Sequence, residues 1–442
     1  MRIGFQTLGC KLNQYETEAL ASSYRAQGHV IVTAEDDADT YIVNTCTVTG
    51  RADHKSRAFV RSLSKRHPRS LLIVTGCSAQ LEAGTLSSLG ENILIVPQSA
   101  KGDLLALAKR ITRAEDVPSG LSQLRQESTP SMQDPFAFRV REMSFHTRAF
   151  LKVQDGCDAL CAYCRVPQAR GPSRSLDADE VMHRAADLES LGHREIVLTG
   201  VNISSYRSGD IRLPHLIREL LGATRNARFR LSSLEPESIT EELAQSLSSA
   251  RVCPHFHLPV QSGSDAVLTR MKRRYRAIRV QESVKLLREA KEDPFIAADF
   301  ITGFPAETAE EHAQTVRLIL EARFAALHVF PFSPRPGTVA VRLRPQVPQR
   351  IRDERGRELG NISRSLHDSY ARSWLGREVD VLIEAETGFF SAGTICARGV
   401  SSNYLKVTVE GVPASGNLRG SIARVRLFES DDVCKAIFLG FA

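Results

Sequence analysis

The sequence predicts an α/β protein in three parts: an N-terminal domain on a parallel sheet, a central partial barrel of six parallel strands, and a small antiparallel β-barrel at the C-terminus. Three observations carry this. Short apolar runs alternate with helix-period stretches over residues 1–112 and again from 147 to about 345, as parallel sheets with helical crossovers require. A polar stretch without sustained period separates the two regions. Beyond residue 373 the hydrophobic period becomes two, the mark of strands with one buried face.

The bulk properties fit that division. A chain of 442 residues is long enough for about three domains. Hydrophobic residues at 42% and charged residues at 25% are those of an ordinary globular protein. Met1 to Phe5 runs straight into a strand pattern with no signal-peptide layout, and no apolar run approaches the roughly 20 residues of a membrane span. The expectation is a cytoplasmic protein with no membrane partner, whose nine cysteines stay reduced and open to metals. A formal net charge of +7 predicts a polyanionic partner. The basic residues Arg57, Arg61 and Lys65 recur at helical spacing, and Arg270 to Arg279 form a second cluster. Either reads equally well as a solvated helix face.

In the N-terminal domain, residues 1–112, the strand candidates are Ile3–Leu8, Val30–Thr33, Tyr41–Val43, Leu71–Val74 and Ile93–Val96. Three of them run into a cysteine: Cys10 in QTLGCKLNQYET, Cys46 in IVNTCTVTGRAD and Cys77 in IVTGCSAQ. The carboxyl ends of an open parallel sheet lie along one edge, where ligands collect. Three thiols in equivalent positions are therefore expected to meet as a metal centre rather than to serve as small apolar residues. Residues 113–146, which include EDVPSGLSQLRQESTPSMQDP, read as a linker that lets the flanking domains approach without a shared core.

For the central domain, residues 147–372, six strands are expected at Ala149–Val153, Glu195–Thr199, Phe229–Ser233, His255–Val260, Ala298–Thr302 and Leu327–Phe332. Helical patterns such as Ala178–Leu188 and Glu310–Ala322 lie between them. At the end of the first strand stands Cys157-Asp-Ala-Leu-Cys161-Ala-Tyr-Cys164. Three sulfurs so close in sequence can turn to one point, and a 4Fe-4S cluster on three cysteinates keeps one iron open for a ligand. A zinc site would need a fourth ligand, and neither His146 nor His193 stands at a spacing usual for one. His255 and His257 share a strand face and read as hydrogen-bonded lining rather than as metal ligands.

In the last part, residues 373–442, Val379/Val381/Ile383, Leu405/Val407/Val409 and Ala423/Val425/Leu427 alternate, preceded by a charged helix over Arg350–Ser373. Small barrels of this kind often bind oligonucleotides. Cys253, Cys396 and Cys434 are isolated and read as structural.

The CxxxCxxC spacing, with Tyr163 before the last cysteine, resembles the radical S-adenosylmethionine (SAM) superfamily. The run Arg148 to Arg174, RAFLKVQDGCDALCAYCRVPQARGPSR, resembles more narrowly the methylthiotransferases. The layout of Cys10, Cys46 and Cys77 is similar to that family's N-terminal domain, and residues 373–442 resemble, more loosely, its RNA-binding TRAM module. The resemblance implies two 4Fe-4S clusters, one on Cys157, Cys161 and Cys164 and an auxiliary one on Cys10, Cys46 and Cys77. It implies SAM at the open iron, near Tyr163 and the strand-end residues Gly200, Glu235 and Gln261. Cleavage of SAM would give a radical that takes hydrogen from C2 of an adenine in a tRNA anticodon loop. Sulfur would come by way of the auxiliary cluster, and a second SAM would donate methyl. An electron donor and a sulfur source would be further partners, and neither these nor the oligomeric state can be read from the residues.

The loops TLGCKLNQYET and VNTCTVTGRADHKSR resemble the branch acting on N6-threonylcarbamoyladenosine at position 37 of tRNA. Isopentenyl-adenosine or an aspartate of a ribosomal protein are the alternative targets, and a non-catalytic zinc-bearing RNA-binding protein is the alternative of another class. The chain departs from the family at Arg165 and Gln168, where relatives carry an aliphatic residue and an aromatic. Ala306 stands in place of the second glycine of a GFPGET-type turn. These departures bear on substrate fit and loop shape.

Overall fold

The computed structural model describes residues 1–47, 49–127, 134–140, 143–391, 393–414, 416–428 and 434–442. The N-terminal domain runs β1 (Arg2–Thr7), α1 (Lys11–Ala26), β2 (Val30–Thr33), β3 (Thr40–Thr45), α2 (Gly50–Arg66), β4 (Leu71–Gly76), α3 (Cys77–Leu81) and β5 (Ile93–Ile95). The strands form a parallel sheet in the order β2-β1-β3-β4-β5. β3 and β4 lie inside that sheet and are buried along nearly their whole length, which is why they read as near-continuous apolar runs. Thr7 pairs with Asn44 and Thr45 with Gly76, so the residues after β1, β3 and β4 leave the sheet side by side. α2 starts at Thr49, whose hydroxyl accepts from the Ala52 amide at 3.1 Å, with Asp53 in its first turn.

The stretch 113–146 is not the free linker that its composition predicts. Helix α4 (Asp116–Glu127) buries Val117, Leu121 and Leu124, and Phe136, Phe138 and Met143 follow them into one apolar core. That core also holds Ile3, Phe5 and Leu20 of the first domain and Phe150, Leu151 and Val181 of the second. The two domains therefore share a core. The helical spacing of 117, 121 and 124 is masked by Pro118 and Gly120, yet proline is tolerated in a first turn, where its missing N–H has no partner to lose. Residues 128–133 and 141–142 of the stretch lie outside the described residues. Phe138→Ala is expected to lower stability by about 3–5 kcal/mol, as for other large-to-small core changes, measured by denaturant unfolding. A value near zero would mean that this segment is a tether after all.

The central domain comprises β6 (Ala149–Lys152), α5 (Val166–Arg170), α6 (Ala178–Ser190), β7 (Glu195–Thr199), β8 (Arg228–Leu231), β9 (His255–Gln261), β10 (Phe295–Thr302) and β11 (Ala326–Pro331), with further helices between the strands. Two parallel ladders, β8-β7-β6 and β9-β10-β11, are joined by a parallel bridge between Ser233 and His257. This is the open six-strand barrel the alternation predicts. Phe256, Leu258 and Val260 of β9 and Ile296, Ala298 and Phe300 of β10 pack outward in the core under the helices. By period two, His255, His257 and Asp299 face the lumen.

Helix α7 (Gln349–Ser373) leads to β12 (Glu378–Ser391), β13 (Thr394–Ser401), β14 (Lys406–Pro413), β15 (Ile422–Phe428) and β16 (Cys434–Phe441). They close in the order β12-β13-β14-β16-β15. The pairings are antiparallel as expected, except that β14 and β16 run parallel, which makes the barrel mixed. All nine alternating residues named from the sequence are buried in its core. The same core takes in Phe295, Ala297 and Ala325 at the start of β10 and β11, so this barrel seats against the N-terminal mouth of the central one. Arg230 fixes the seat by donating to the carbonyls of Ser401 at 3.1 Å and Ser402 at 3.0 Å, while Glu195 holds Arg228 and Arg230 at 2.7 Å each. Among the described residues no helix is long and apolar enough to cross a membrane.

Candidate active site

The loop after β6 carries Cys157, Cys161 and Cys164 at the C-terminal mouth of the central barrel. It is held from both sides. The Cys157 amide donates to the Gly171 carbonyl at 3.1 Å, the Ala162 amide to Met271 at 3.0 Å, and the Ala340 amide to Ala162 at 2.8 Å. Donors point at all three sulfurs: the amides of Ala159 and Val166 reach Cys157 and Cys164 Sγ at 3.4 Å each, and the Arg273 guanidinium reaches Cys161 Sγ at 3.3 Å. Burial pushes the Cys157 thiol up, and the Cys164 thiol up to about 12. Such sulfurs favour the thiolate once a cationic metal joins the donors already in place.

Cys10, Cys46 and Cys77 follow β1, β3 and β4, whose ends lie side by side. A Cβ on Gly9, at φ +113°, would lie 2.7 Å from Cys46 Sγ, and one on Gly76, at φ +96°, would lie 2.3 Å from the Thr45 carbonyl. Only glycine lets both turns close on the Cys46 loop. Ser78 Oγ donates to the Cys46 carbonyl at 2.8 Å and to Asp53 Oδ1 at 3.0 Å, which ties the β3 and β4 exits together. Burial pushes the Cys77 thiol up, opposed by Arg170 and Lys101 nearby.

The two cysteine-bearing loops are linked across the domain interface, where α5, directly after Cys164, packs on α3, which begins with Cys77. A buried charge cluster fastens them. Glu16 of α1 takes Lys101 Nζ at 2.5 Å, Lys152 Nζ at 3.0 Å and Arg170 at 2.9 Å. Asp155 takes Lys152 at 2.6 Å and Arg170 at 3.1 Å. Arg170 also donates to Asn13 Oδ1 at 2.7 Å, and Asn13 donates to the carbonyls of Leu8 and Thr45 at 3.0 Å each. Burial opposes ionisation of Glu16, but Arg170, Lys101 and Lys152 hold its carboxyl well below the carboxylate range. Three cations face two carboxylates, and the excess positive charge lies beside Cys10 and Cys77, where an anionic sulfur-ligated group is welcome. A second lock joins the Cys46 loop to the segment after β11: Arg335 pairs with Asp53 and donates to Thr47 Oγ1 at 2.7 Å, and Ser333 Oγ accepts from the Gly50 amide at 2.9 Å.

Neither cysteine trio has its three sulfurs all within 4.8 Å of one another. Among the described residues, only His257, Asp299 and His328 bring three metal-ligating atoms all within 4.8 Å of one another. Each cysteine trio is thus spread wider than the roughly 3.8 Å between sulfurs of tetrahedral zinc with Zn–S near 2.3 Å.

Next to Cys161 lies a cavity of about 140 Å³ lined by Asn202, Glu235, Lys272 and Arg273 among others. It offers both signs of charge, as the amino and carboxylate groups of a methionyl moiety need. Glu235 is ion-paired to Arg273 there. Tyr163 stands edge-on to Phe304 at 6.4 Å between ring centroids, in a small apolar cluster behind the cysteine loop. At Gly200 the space for a Cβ is taken by Gln154 Oε1 and Ile203, both at 2.9 Å, so this glycine admits Gln154, which accepts from the Asn202 amide at 2.8 Å. Gln261 ends β9 buried with φ +69°, a strained conformation for a non-glycine residue that tends to persist at functional sites.

Of the departures, Arg165 turns away from the mouth to Glu82 of the N-terminal domain at 3.0 Å, Gln168 donates to the Gly337 carbonyl at 3.4 Å, and Ala306 keeps the glycine-type turn at φ +61°. The basic cluster over Arg270 to Arg279 divides: Lys272, Arg274 and Arg276 are exposed, while the other three turn to protein partners. Arg273 enters the site, Arg270 pairs with Glu311 at 2.5 Å, and Arg279 donates to the Ile239 carbonyl. Arg273, Arg170 and Glu16 were not singled out from the sequence, because long-range pairing of charges leaves no periodic trace. The proximity of Arg170 to the CxxxCxxC segment is the one signal that could have marked it.

Residues 151–319 match the radical SAM superfamily, and residues 2–96 match an uncharacterized protein family, UPF0004. The chain is 36% identical to the threonylcarbamoyladenosine tRNA methylthiotransferase MtaB of Treponema pallidum, over 96% of this chain and 98% of the relative. It is 33% identical to the protein of the same name from Bacillus subtilis, over 97% and 94%. It is 32% identical to a tRNA-2-methylthio-N(6)-dimethylallyladenosine synthase of Ruegeria, over 97% and 96%. Among solved structures, the radical SAM methyltransferase TsrM of Kitasatospora setae superimposes with a TM-score of 0.57 at 14% identity, covering 77% of this chain and 76% of that one, which speaks to fold alone. With this identity along nearly its whole length, the chain belongs to the radical SAM methylthiotransferase family.

Proposed function

We propose that this protein converts N6-threonylcarbamoyladenosine at position 37 of the tRNA anticodon loop to its 2-methylthio derivative. The observation that supports the reading is the packing of the helix after Cys164 on the helix that begins with Cys77, in a chain whose relatives at 32–36% identity include six methylthiotransferases of that name. Cys157, Cys161 and Cys164 would hold a 4Fe-4S cluster with SAM, and Cys10, Cys46 and Cys77 a second cluster. Bound there, these groups supply a carbon-centred radical able to take an unactivated aromatic hydrogen, and the sulfur and methyl group that replace it.

The residues of the chain do the rest. Arg273 bridges Cys161 Sγ and Glu235, so it fixes the position of the carboxylate relative to the sulfur. Asn202, Glu235 and Lys272 give the neighbouring cavity the polarity to orient an amino acid group. Arg170, bonded to Glu16 and Asn13 of α1, ties the helix after Cys164 to the helix that follows Cys10, and so would orient groups held on the two loops relative to each other. The net charge of +7 and the C-terminal β-barrel support contact with an RNA backbone. An electron donor and a sulfur source complete the set of partners, in a cytoplasmic setting that keeps thiols reduced.

The test is a nucleoside analysis of tRNA from a strain lacking this gene. Loss of 2-methylthio-N6-threonylcarbamoyladenosine, with 2-methylthio-isopentenyladenosine retained, is the expected result. The reverse pattern would move the protein to the other branch.

A further inference from the structure

Inside the central barrel the carboxylate of Asp299 stands between two imidazoles. His257 Nε2 lies 2.8 Å and His328 Nδ1 3.1 Å from the same oxygen, Oδ1, and the three residues bring one ligand atom each within 4.8 Å of one another. The backbone sets this placement. Asp299 and His328 are register partners on β10 and β11, and His257 on β9 is bridged to Ser233 just after β8. Three neighbouring strands of one ladder thus supply one donor each, and donors on strands hold their spacing better than donors on loops. The two rings lie 5.1 Å apart between centroids, with 32° between their planes.

Charge is a second, separate observation. Among the described residues Asp299 has no Arg or Lys partner, and both of its ion-pair contacts are to histidine. Its side chain is 22% exposed, so between neutral imidazoles it holds a half-buried negative charge with no fixed cation against it. A neutral imidazole carries one proton, and each of these two has another place for it. His257 Nδ1 is 2.7 Å from Ser233 Oγ, which accepts that proton when Nε2 turns its lone pair to a cation. His328, with its side chain 54% exposed, carries its proton on Nε2 in the same state. The spacing fits as well. Ligand atoms about 2.1 Å from one ion and at right angles stand about 3 Å apart, so the side chains need little movement to close on it.

We infer that His257, Asp299 and His328 bind one divalent transition-metal ion, in a site that uses none of the cysteines. Two imidazoles and one carboxylate form the donor set of mononuclear iron(II) sites and suit zinc and manganese, whereas magnesium and calcium take oxygen ligands. Water completes the coordination, since His328 is open to solvent. From its own strand His257 reads as hydrogen-bonded lining, and only the neighbouring strands make it one of three ligands.

The experiment uses full-length enzyme with both cysteine trios loaded by anaerobic reconstitution, treated with a chelator to strip ions held outside the clusters, dialysed against zinc chloride and then against metal-free buffer. One zinc per chain is expected in addition to about eight irons. Zinc affinity should fall by about tenfold or more in Asp299→Asn and in His328→Gln, with the iron unchanged. No zinc retained by the wild type, or equal zinc in the wild type and both variants, would overturn the site. Where a variant loses its iron and with it its fold, the zinc X-ray absorption spectrum of the wild type decides. Nitrogen and oxygen neighbours at about 2.0–2.2 Å support the site, and a sulfur shell at about 2.3 Å, from zinc on the cysteines, overturns it.

Discussion

Replacing Cys161 with alanine is expected to reduce SAM cleavage to background and to remove about four irons per chain, as loss of one 4Fe-4S cluster requires. Cys161 is the middle thiol of its trio and the one that Arg273 contacts, at 3.3 Å. Without its sulfur two ligands remain, and Arg273 keeps Glu235, the Pro259 carbonyl and the Tyr275 hydroxyl. Cys46→Ala is expected to remove a similar amount of iron and to abolish methylthiolation while SAM cleavage continues. The contrast separates the roles of the two trios. Iron content and 5′-deoxyadenosine release are the readouts, and equal loss of SAM cleavage in both variants would contradict the division of labour.

Arg170→Met is expected to cost about 3 kcal/mol of stability, because it removes directed buried hydrogen bonds to Glu16, Asp155 and Asn13, although Lys101 and Lys152 still face the two carboxylates. Arg170 is 7% exposed and bonds Glu16, Asp155 and Asn13 at once. Arg170→Lys should recover little of this, since one ammonium cannot reproduce three directed contacts from a planar fork. Because Asn13 bonds the carbonyls of Leu8 and Thr45 beside Cys10 and Cys46, the variant should also retain less iron on the N-terminal trio than on the Cys157 trio. Unfolding in denaturant, together with iron content, checks both effects. A loss under about 1 kcal/mol would mean that the cluster is tolerated rather than required.

The sequence carries the architecture well where periodicity reports burial on one or two faces. Val30–Thr33 and Glu195–Thr199 have the bounds expected of them, and the other barrel strands begin or end within a few residues of expectation. The placing of Cys10, Cys46 and Cys77 after three neighbouring strand ends was legible because parallel topology sends strand ends to one edge. Three things were hidden. Helix α4 was obscured by Pro118 and Gly120, although 117, 121 and 124 keep the helical spacing. The parallel pairing of β14 with β16 follows from chain connection, which a period of two does not encode. The charged side chains Arg170, Glu16 and Arg335 find partners more than 100 residues away, and a surface cation and a buried one look alike in sequence until those partners are known.

The most direct measurement is reaction of the anaerobically reconstituted enzyme with SAM, a reductant and tRNA bearing N6-threonylcarbamoyladenosine, with nucleosides read by mass spectrometry. The account predicts 2-methylthio-N6-threonylcarbamoyladenosine from the wild type and from neither Cys161→Ala nor Cys46→Ala. Cleavage of SAM with that nucleoside left unchanged, or its formation in Cys46→Ala, would contradict it.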